Sequence, residues 1–264
     1  MSKKIDENIR EDISEIFSGI QGEGKYMGCR QIFVRFCGCN LNCRYCDTPH
    51  AVTPSCRVQT EAGANRFVTL ISPVSLRDTV GMIRRFTDGS ALYQAVAFTG
   101  GEPLLHAEFI AALSPKIHEI GSKVLLETNG TLPEQLAKVI DDIDIISMDI
   151  KLPGDILPSG SSNCDGSQKN FWAEHEKFIN IAKQKDLYIK IVVSQDTEES
   201  EFREALTLIR GNAPDSMVIL QPVTPVGECA PPSPKSMIRW QAYARDFVDD
   251  VRVIPQVHRM MGQL

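Results

Sequence analysis

Four cysteines lie within twelve residues in the first fifth of the chain. The stretch FCGCNLNCRYCD, residues 36–47, contains Cys37, Cys39, Cys43 and Cys46. Four thiolates can hold a zinc ion, pairs of thiols can form disulfides, and three thiolates can hold an iron–sulfur cluster with the fourth cysteine left out. The choice among these chemistries depends on the cysteine spacing and on the rest of the chain.

The composition indicates the cellular compartment of the protein, and therefore the redox state of these thiols. The chain has 264 residues with a net charge of −6, and it has no uninterrupted apolar stretch near the roughly 20 residues that span a bilayer. The acidic balance argues against a nucleic-acid partner, and the first residues lack the apolar core of a secretory signal. We therefore expect a cytoplasmic protein with no membrane or nucleic-acid partner. In that reducing compartment, clustered cysteines are more often metal ligands or catalysts than disulfides.

The spacing C-x3-C-x2-C of Cys39, Cys43 and Cys46 favours an iron–sulfur cluster. Full protein ligation of a cubane takes four thiolates, so three leave one iron open for a substrate or cofactor. This spacing is the signature of radical S-adenosylmethionine enzymes. A zinc site with Cys37 as fourth ligand is the alternative, but zinc sites usually pair two separate C-x2–4-C units, and no second unit exists here. We interpret Cys37 as a small buried thiol. The remaining cysteines are interpreted as structural: Cys29, Cys56, Cys164 and Cys229.

Apolar strand-like runs alternate with amphipathic helical stretches along the chain. About six such units without a GxGxxG phosphate motif predict an α/β fold, an open or closed βα barrel rather than a nucleotide-binding doubly wound sheet. We expect one domain over residues 1–264, with loops or insertions at 50–74 and 152–172 and a proline-rich loop at 224–234. The predicted strands are 31–37, 95–100, 123–130, 144–151, 187–194, 216–223 and 250–255, and the predicted helices are 75–86, 106–121, 132–143, 174–186, 199–212 and 235–248.

Polar or glycine-rich clusters lie at the carboxyl ends of five of the predicted strands. In a βα barrel the chemistry lies at the carboxyl ends of the strands, so five such clusters predict a single site. The clusters are FCGCNLNC, TGGEP, ETNG, MDIK and LQPV.

Several longer stretches resemble one family, the 7-carboxy-7-deazaguanine synthases among the radical S-adenosylmethionine enzymes. They are EIFSGIQGEGKYMGCRQIFVRFCGCNLNCRYCDT (15–48), TGGEP (99–103), ETNG (127–130), MDIK (148–151), QPV (221–223) and QVHRMMG (256–262). The resemblance implies a partial, open βα barrel of the TIM type that acts as a homodimer. It also implies conversion of 6-carboxy-5,6,7,8-tetrahydropterin to 7-carboxy-7-deazaguanine with loss of ammonia, in the 7-deazapurine (queuosine) pathway. The implied cofactors are a [4Fe–4S] cluster, S-adenosylmethionine and Mg²⁺, and the implied reductant is of the flavodoxin or ferredoxin type.

The same resemblance implies roles for individual residues. Cys39, Cys43 and Cys46 would hold the cluster, and Thr48 would be a magnesium ligand, with a turn residue before Pro49 as the alternative. Many members have Ser-Pro-Lys where this chain has Asp149-Ile150-Lys151, so Asp149 would take over the cofactor contact of the serine. The substrate residues would be Ile20, Gln21, Gly22, Glu23, Arg35, Thr99 and the carboxy-terminal Leu264. The cofactor residues would be Tyr45, Asp47, Gly100, Gly101, Glu102, Glu127, Asn129, Asp149, Lys151 and Gln221.

Two features bear on these roles directly. Arg35 interrupts an apolar strand, so its charge must be paired or face a polar cavity. A guanidinium fork suits a substrate carboxylate, with a structural ion pair as the alternative. His258, in the QVH stretch, matches the family, but a histidine packed in the interior is an equally good interpretation of it. The rival functions are a glycyl-radical-enzyme activase, which shares the cysteine motif but lacks an early QGEG with Arg35, and a non-catalytic iron–sulfur or zinc module.

Overall fold

The computed structural model describes residues 8–49, 51–87, 92–157, 170–225 and 229–262. In these ranges twelve strands and seven α-helices follow one another along the chain. The strands are β1 Arg10–Glu11, β2 Ile13–Ile20, β3 Arg30–Phe36, β4 Ser55–Gln59, β5 Phe67–Ile71, β6 Val74–Ser75, β7 Ala95–Gly100, β8 Val124–Thr128, β9 Ile145–Ile150, β10 Asp186–Val193, β11 Met217–Pro222 and β12 Val251–Val253. The helices are α1 Leu76–Thr87, α2 Ala107–Glu119, α3 Pro133–Val139, α4 Trp172–Ala182, α5 Glu199–Asn212, α6 Pro234–Arg245 and α7 Val257–Met260.

One large sheet organises the described part of the chain. Its strand order is β12-β11-β10-β9-β8-β7-β3-β2-β4-β5. All neighbours from β3 to β12 pair in parallel, while β2 pairs antiparallel to β3 and β5 antiparallel to β4. The edge strands β12 and β5 do not pair with each other in the described ranges, so the sheet is an open, partial barrel. The predicted α/β barrel class is confirmed, and because one sheet carries strands from both ends of the chain, we infer a single domain.

The sequence patterns located the parallel strands and their helices but missed part of the sheet. Every predicted strand and helix has an observed counterpart within a few residues. The expected loop over 50–74 is wrong for Ser55–Gln59 and Phe67–Ile71, which form an antiparallel pair at the sheet edge. Strand β2 was also missed. Of the predicted loop at 152–172, residues 158–169 lie outside the described residues, and so do residues 226–228 of the predicted loop at 224–234.

Local signals explain where helices begin and end. Ser75 accepts a hydrogen bond from the Asp78 backbone N–H at 3.1 Å and donates to the Asp78 carboxylate at 2.6 Å, a reciprocal cap for α1. Gly121, in a left-handed conformation with φ of 83°, follows the last turn of α2 and donates its N–H to the His118 carbonyl. In the described residues, no helix is long and apolar enough to cross a membrane.

Two apolar layers flank the sheet. The larger fills the space between the sheet and the helices, and it includes Ile32, Val96, Leu126, Ile189 and Leu220, all fully buried. The smaller lies on the opposite, concave face. Side chains alternate across a strand, so each strand contributes to both layers. The concave layer consists of Phe17, Phe33, Ala95, Ala97, Leu125, Ile145, Tyr188, Ile219 and Ile254.

Candidate active site

The concave face changes from apolar to polar toward the carboxyl ends of the parallel strands. Residues two positions apart point to the same face of a strand, so an apolar residue of the concave layer is followed by a polar residue on the same side. These polar residues line two adjoining cavities. The pairs are Phe33 and Arg35, Ala97 and Thr99, Leu125 and Glu127, Tyr188 and Lys190, and Ile219 and Gln221, with Asp149 four residues after Ile145. Gln256 follows Ile254 at the same interval, just beyond the end of β12.

The cysteine loop is fixed to the end of β7 by backbone contacts. Gly101 donates its N–H to the Phe36 carbonyl at 3.2 Å, and Glu102 donates to the Gly38 carbonyl at 2.9 Å. A Cβ atom on Gly101 would lie 1.7 Å from the Gly38 carbonyl oxygen, and one on Gly100 would lie 2.2 Å from the Phe36 oxygen. The glycines of TGGEP therefore allow two backbone segments to pack directly, which positions the loop that carries Cys39.

Side-chain amides brace the same loop. Asn129 donates to the Asn40 side-chain oxygen at 2.9 Å, and Asn40 donates to the Thr131 hydroxyl at 2.8 Å. On the opposite side the Arg44 N–H donates to the Asp155 carbonyl at 2.9 Å. The three motif cysteines are thus held on a loop that is bonded to its neighbours on two sides.

The smaller cavity, of about 160 Å³, contains the three motif cysteines. Burial raises the pKa of the Cys39 thiol above its ordinary value and that of Cys43 to about 11, so without a metal these thiols are protonated at neutral pH. Cys37 is buried and does not line this cavity. The predicted cofactor residues that line it are Tyr45, Asp47, Gly100, Gly101, Glu127, Asn129, Asp149, Lys151 and Gln221.

The larger cavity, of about 680 Å³, adjoins the first. It is lined by the predicted substrate residues Ile20, Gln21, Gly22, Glu23, Arg35 and Thr99. Leu264, the remaining substrate prediction, lies outside the described residues. The wall common to both cavities consists of Glu23, Asp47, Thr48, Thr99, Glu127 and Gln256.

Hydrogen bonds fix the orientation of Gln21, which lines the larger cavity. Its amide nitrogen donates to Gln31 at 3.0 Å and to Glu127 at 2.8 Å, and its side-chain oxygen accepts from the Glu23 N–H at 3.1 Å. Thr99 donates to the other oxygen of Glu127 at 2.6 Å. Both amide hydrogens of Gln21 are used, so toward a ligand its side chain can act as an acceptor.

Four charged side chains that line the smaller cavity form a buried network. Lys190 Nζ lies 2.7 Å from Glu23 Oε2 and 3.1 Å from Asp149 Oδ1, and Lys151 Nζ lies 3.0 Å from Asp149 Oδ2. Burial alone would raise the pKa of Glu23, but Lys190 and a hydrogen bond from Gln256 lower it to about 2. The two carboxylates likewise raise the pKa of Lys190 well above its ordinary value despite its burial. The network is therefore fully ionised and has no net charge.

Two atoms in the smaller cavity keep hydrogen-bonding capacity for a ligand. Gln221 Oε1 is buried and accepts no hydrogen bond from the described chain. Asp149 Oδ1 is also buried, and its contact with Lys190 is an ion pair without hydrogen-bond alignment. Buried polar atoms are normally satisfied, so both are candidates to bind a polar ligand.

The Glu102 carboxylate, by contrast, is used within the protein. It is fully buried, accepts hydrogen bonds from Leu104 N, Thr128 Oγ1 and Asn129 N at 2.8–3.0 Å, and does not line the cavity. Burial raises its pKa to about 6. Its contacts link the end of β7 to the end of β8, and this link supports the cofactor side of the site.

Arg35 forms the structural ion pair that the sequence left as an alternative, and it also faces a cavity. Its Nε lies 3.1 Å from Glu15 Oε2, and Arg57 of β4 binds the other oxygen of Glu15 at 2.9 Å. Arg35 also lines the larger cavity, so its remaining guanidinium hydrogens can face a ligand.

Known proteins resemble the chain over nearly its whole length. The model of the radical SAM superfamily matches residues 33–209. A 7-carboxy-7-deazaguanine synthase of Geobacter sulfurreducens is 40% identical over 256 residues, covering 96% of this chain and 98% of that protein. The chain belongs to the 7-carboxy-7-deazaguanine synthase family. A synthase of Archaeoglobus fulgidus is 39% identical over 255 residues, covering 96% and 99%. The structure of QueE from Escherichia coli, 20% identical with a TM-score of 0.57 and 94% coverage of both chains, shares the fold.

Membership of this radical SAM family implies a [4Fe–4S] cluster and S-adenosylmethionine, and the donor set of the smaller cavity fits both. Three thiols there match the three ligands of a cluster with one open iron. In the described ranges, no three or more His, Cys, Asp or Glu side chains lie close enough together to hold a single metal ion. A cubane cluster is larger than a single ion, so its thiolate ligands are spread farther apart. The two unsatisfied oxygens of Asp149 and Gln221 suit the hydroxyl and amine groups of S-adenosylmethionine.

Two residues of the site were missed in the sequence, although a signal existed for each. Lys190 interrupts an apolar strand as Arg35 does, and it follows Tyr188 on the concave face. Gln256 lies in the QVH stretch and donates to Glu23 Oε1 at 2.9 Å. The two-residue alternation along β10 indicates that Lys190 faces the site. The partner of Lys190 and Gln256, however, is Glu23, which is too distant in sequence to be recognised from a local pattern.

Proposed function

We propose that this chain is a radical S-adenosylmethionine lyase that converts 6-carboxy-5,6,7,8-tetrahydropterin to 7-carboxy-7-deazaguanine. The observation that carries the proposal is the shared wall of the two cavities, because it places the three cysteines and the QGEG carboxylate Glu23 on adjoining spaces. When bound, the cluster and S-adenosylmethionine supply an electron and a 5′-deoxyadenosyl radical, chemistry that belongs to the cofactor. Loss of ammonia balances the reaction without net oxidation, so the cofactor is reused.

The smaller cavity is the proposed cofactor site. Cys39, Cys43 and Cys46 would hold the cluster as thiolates. Cluster binding would therefore release protons, including those of Cys39 and Cys43, whose pKa burial raises. Asp149 Oδ1 and Gln221 Oε1 accept hydrogen bonds from the hydroxyl and amine groups of S-adenosylmethionine. The remaining proposed cofactor contacts are Tyr45, Asp47, Gly100, Gly101, Glu127, Asn129 and Lys151, and Glu102 supports them from behind.

The larger cavity is the proposed pterin site. Glu23 stays ionised and accepts hydrogen bonds from the aminopyrimidinone edge, and Gln21 adds an acceptor in the same cavity. Arg35 binds the substrate carboxylate. Thr99 and Glu127 lie in the wall toward the cysteines, and they orient the reacting carbon of the pterin toward the cofactor.

Three further assignments belong to the proposal. Thr48 lies in the common wall, and its hydroxyl would bind Mg²⁺ together with the substrate carboxylate and water. The resemblance to the family supports a homodimer, for which light scattering of the purified protein is the test. It also supports a flavodoxin- or ferredoxin-type reductant, which turnover with such a protein in place of a chemical reductant would test.

An anaerobic turnover assay tests the function. The protein is reconstituted with iron and sulfide and mixed with S-adenosylmethionine, reductant, Mg²⁺ and 6-carboxytetrahydropterin. We expect 7-carboxy-7-deazaguanine by mass and absorbance, and its formation should require both cofactor and pterin. Formation of 5′-deoxyadenosine without the deazaguanine would show that the substrate is wrong. A glycyl-radical-enzyme activase is not favoured, because the chain matches the synthases over 96% of its length.

A further inference from the structure

Lys190 lines the smaller cavity and contacts Glu23, which lies in the wall common to both cavities. No role was predicted for Lys190 from the sequence. It is in register with Asp149 on the neighbouring strand β9, and its side chain is only 8% exposed. A buried lysine is stable only when its charge is paired. Its two partners, Glu23 and Asp149, are the carboxylates proposed for substrate and cofactor respectively.

On the substrate side, β10 holds the QGEG turn at two points. Tyr188 packs under Gly24, where φ is +68° and an added Cβ would lie 2.5 Å from the tyrosine ring. Lys190, on the same face of the strand, binds Glu23 Oε2 at 2.7 Å. The position of the Glu23 carboxylate therefore depends on Lys190 as well as on the turn itself.

On the cofactor side, the same ammonium group lies 3.1 Å from Asp149 Oδ1, which accepts no hydrogen bond from the described chain. One positive charge is thus shared by two carboxylates that line different parts of the site. A ligand group that donates a hydrogen bond to Asp149 partly neutralises the charge of that carboxylate. The attraction of Asp149 for the Lys190 ammonium then weakens, and Lys190 binds Glu23 more strongly.

We propose that Lys190 is a positioning residue that couples the binding of S-adenosylmethionine and of the pterin through its shared contacts with Glu23 and Asp149. This inference rests on the proposed function, which assigns the two carboxylates to the two ligands. Each ligand strengthens the binding of the other, and linkage requires the same factor in both directions.

The experiment measures that factor directly. The reconstituted protein is kept with its cluster oxidised, so that no turnover occurs, and S-adenosylmethionine is titrated calorimetrically with and without 6-carboxytetrahydropterin. We expect the pterin to tighten cofactor binding by about fivefold or more, within the usual range of coupling between sites. In Lys190→Met the factor should fall to near one, and Lys190→Arg should recover part of it. Lys25→Met is the matched control, since Lys25 pairs with Asp186 of the same strand outside both cavities.

The outcomes separate a coupling role from a structural one. A merely structural lysine would weaken both ligands in Lys190→Met and leave the coupling factor unchanged, which would overturn the inference while the proposed function stands. Absence of coupling in the wild-type protein would overturn it as well. If Lys190→Met fails to keep its cluster, Glu23→Gln breaks the same link from the other end, and unchanged coupling there would refute the inference. A wild-type protein that binds S-adenosylmethionine but neither binds nor converts the pterin would refute the proposed function, and the inference with it.

Discussion

Substitution of Gly101 by alanine tests how the cysteine loop is positioned. The added Cβ would lie 1.7 Å from the Gly38 carbonyl oxygen and 2.5 Å from its carbon. Real Cβ contacts essentially never fall below 3.0 Å, so the backbone next to Cys39 must move by more than an ångström. That movement strains the hydrogen bonds that Gly101 and Glu102 donate to the loop at 3.2 and 2.9 Å.

The cost can be estimated from these contacts. A backbone overlap that a packed interior cannot absorb costs about 1–3 kcal/mol, and weakening two buried hydrogen bonds adds about 1 kcal/mol or more. We therefore expect Gly101→Ala to lower the free energy of unfolding by about 2–4 kcal/mol. We also expect it to lose most of its iron, because displacement of Cys39 removes one of three cluster ligands.

Gly81→Ala is the matched control. Gly81 lies within α1, and an added Cβ there would meet nothing within 4 Å. The same chemical change should stabilise this helix by about 0.5–1 kcal/mol and leave the iron content unchanged. The assays are iron and sulfide per chain after anaerobic reconstitution, together with urea unfolding of the apoprotein. An unchanged iron content and an unchanged free energy of unfolding in Gly101→Ala would refute the proposal that packing against the end of β7 positions the cysteine loop.

Four further substitutions test the assignments of single residues. Cys43→Ala should abolish the cluster and turnover, whereas Cys37→Ala should keep the cluster, and iron loss in the second variant would restore the four-thiolate interpretation. Arg35→Ala should weaken pterin binding about 10- to 100-fold but change S-adenosylmethionine binding less than about twofold, since Arg57 still pairs Glu15; equal losses in separate titrations would contradict its carboxylate role. The pKa of Glu23 is lowered from 4.5 to about 2 in the folded protein. The ionised carboxylate therefore stabilises the fold fully above pH 4.5, and this stabilisation is lost as the pH falls toward 2. In Glu23→Gln, the free energy of unfolding should lose this pH dependence, which amounts to roughly 3 kcal/mol. An unchanged acid dependence in urea titrations would show that Glu23 is not held by Lys190.

Much of the parallel sheet and most of the site could be predicted because both depend on local patterns. An apolar run followed by TGGEP or ETNG places a turn at a strand end, and parallel strands bring all such ends to one edge. The two-residue period then decides which side chains face the concave side, as for Ala97 and Thr99. These rules need no knowledge of distant partners.

Strands β4 and β5 could not be predicted in the same way. Their sequences, SCRVQ and FVTLI, lie between proline, serine and glycine residues. β5 is the edge of the sheet and gains little burial, whereas β4 buries three residues but has too few apolar ones to mark a strand. What orders β4 is its parallel pairing with β2, between residues some forty positions apart.

The glycines of TGGEP show a second limit of prediction from the sequence. Gly100 and Gly101 were predicted as cofactor residues, and both do line the smaller cavity. The packing shows that their Cβ positions are filled by the cysteine loop itself. A sequence indicates that a side chain is absent, but only the fold shows which neighbour occupies the space.

The QGEG turn and residues 256–258 meet at the substrate side of the site, which explains why residues distant in sequence share one function. Gly22 accepts a hydrogen bond from the Val257 N–H at 2.9 Å, and a Cβ on Gly22 would lie 2.3 Å from the His258 nitrogen. Gln256, just before them, donates to Glu23 at 2.9 Å and to Asp47 at 3.3 Å. The carboxy-terminal segment therefore connects the QGEG turn to the residue that follows the last cluster cysteine. Because Lys190 holds the other oxygen of Glu23, this carboxylate is fixed from both sides, and its ionisation follows from the fold rather than from its own sequence.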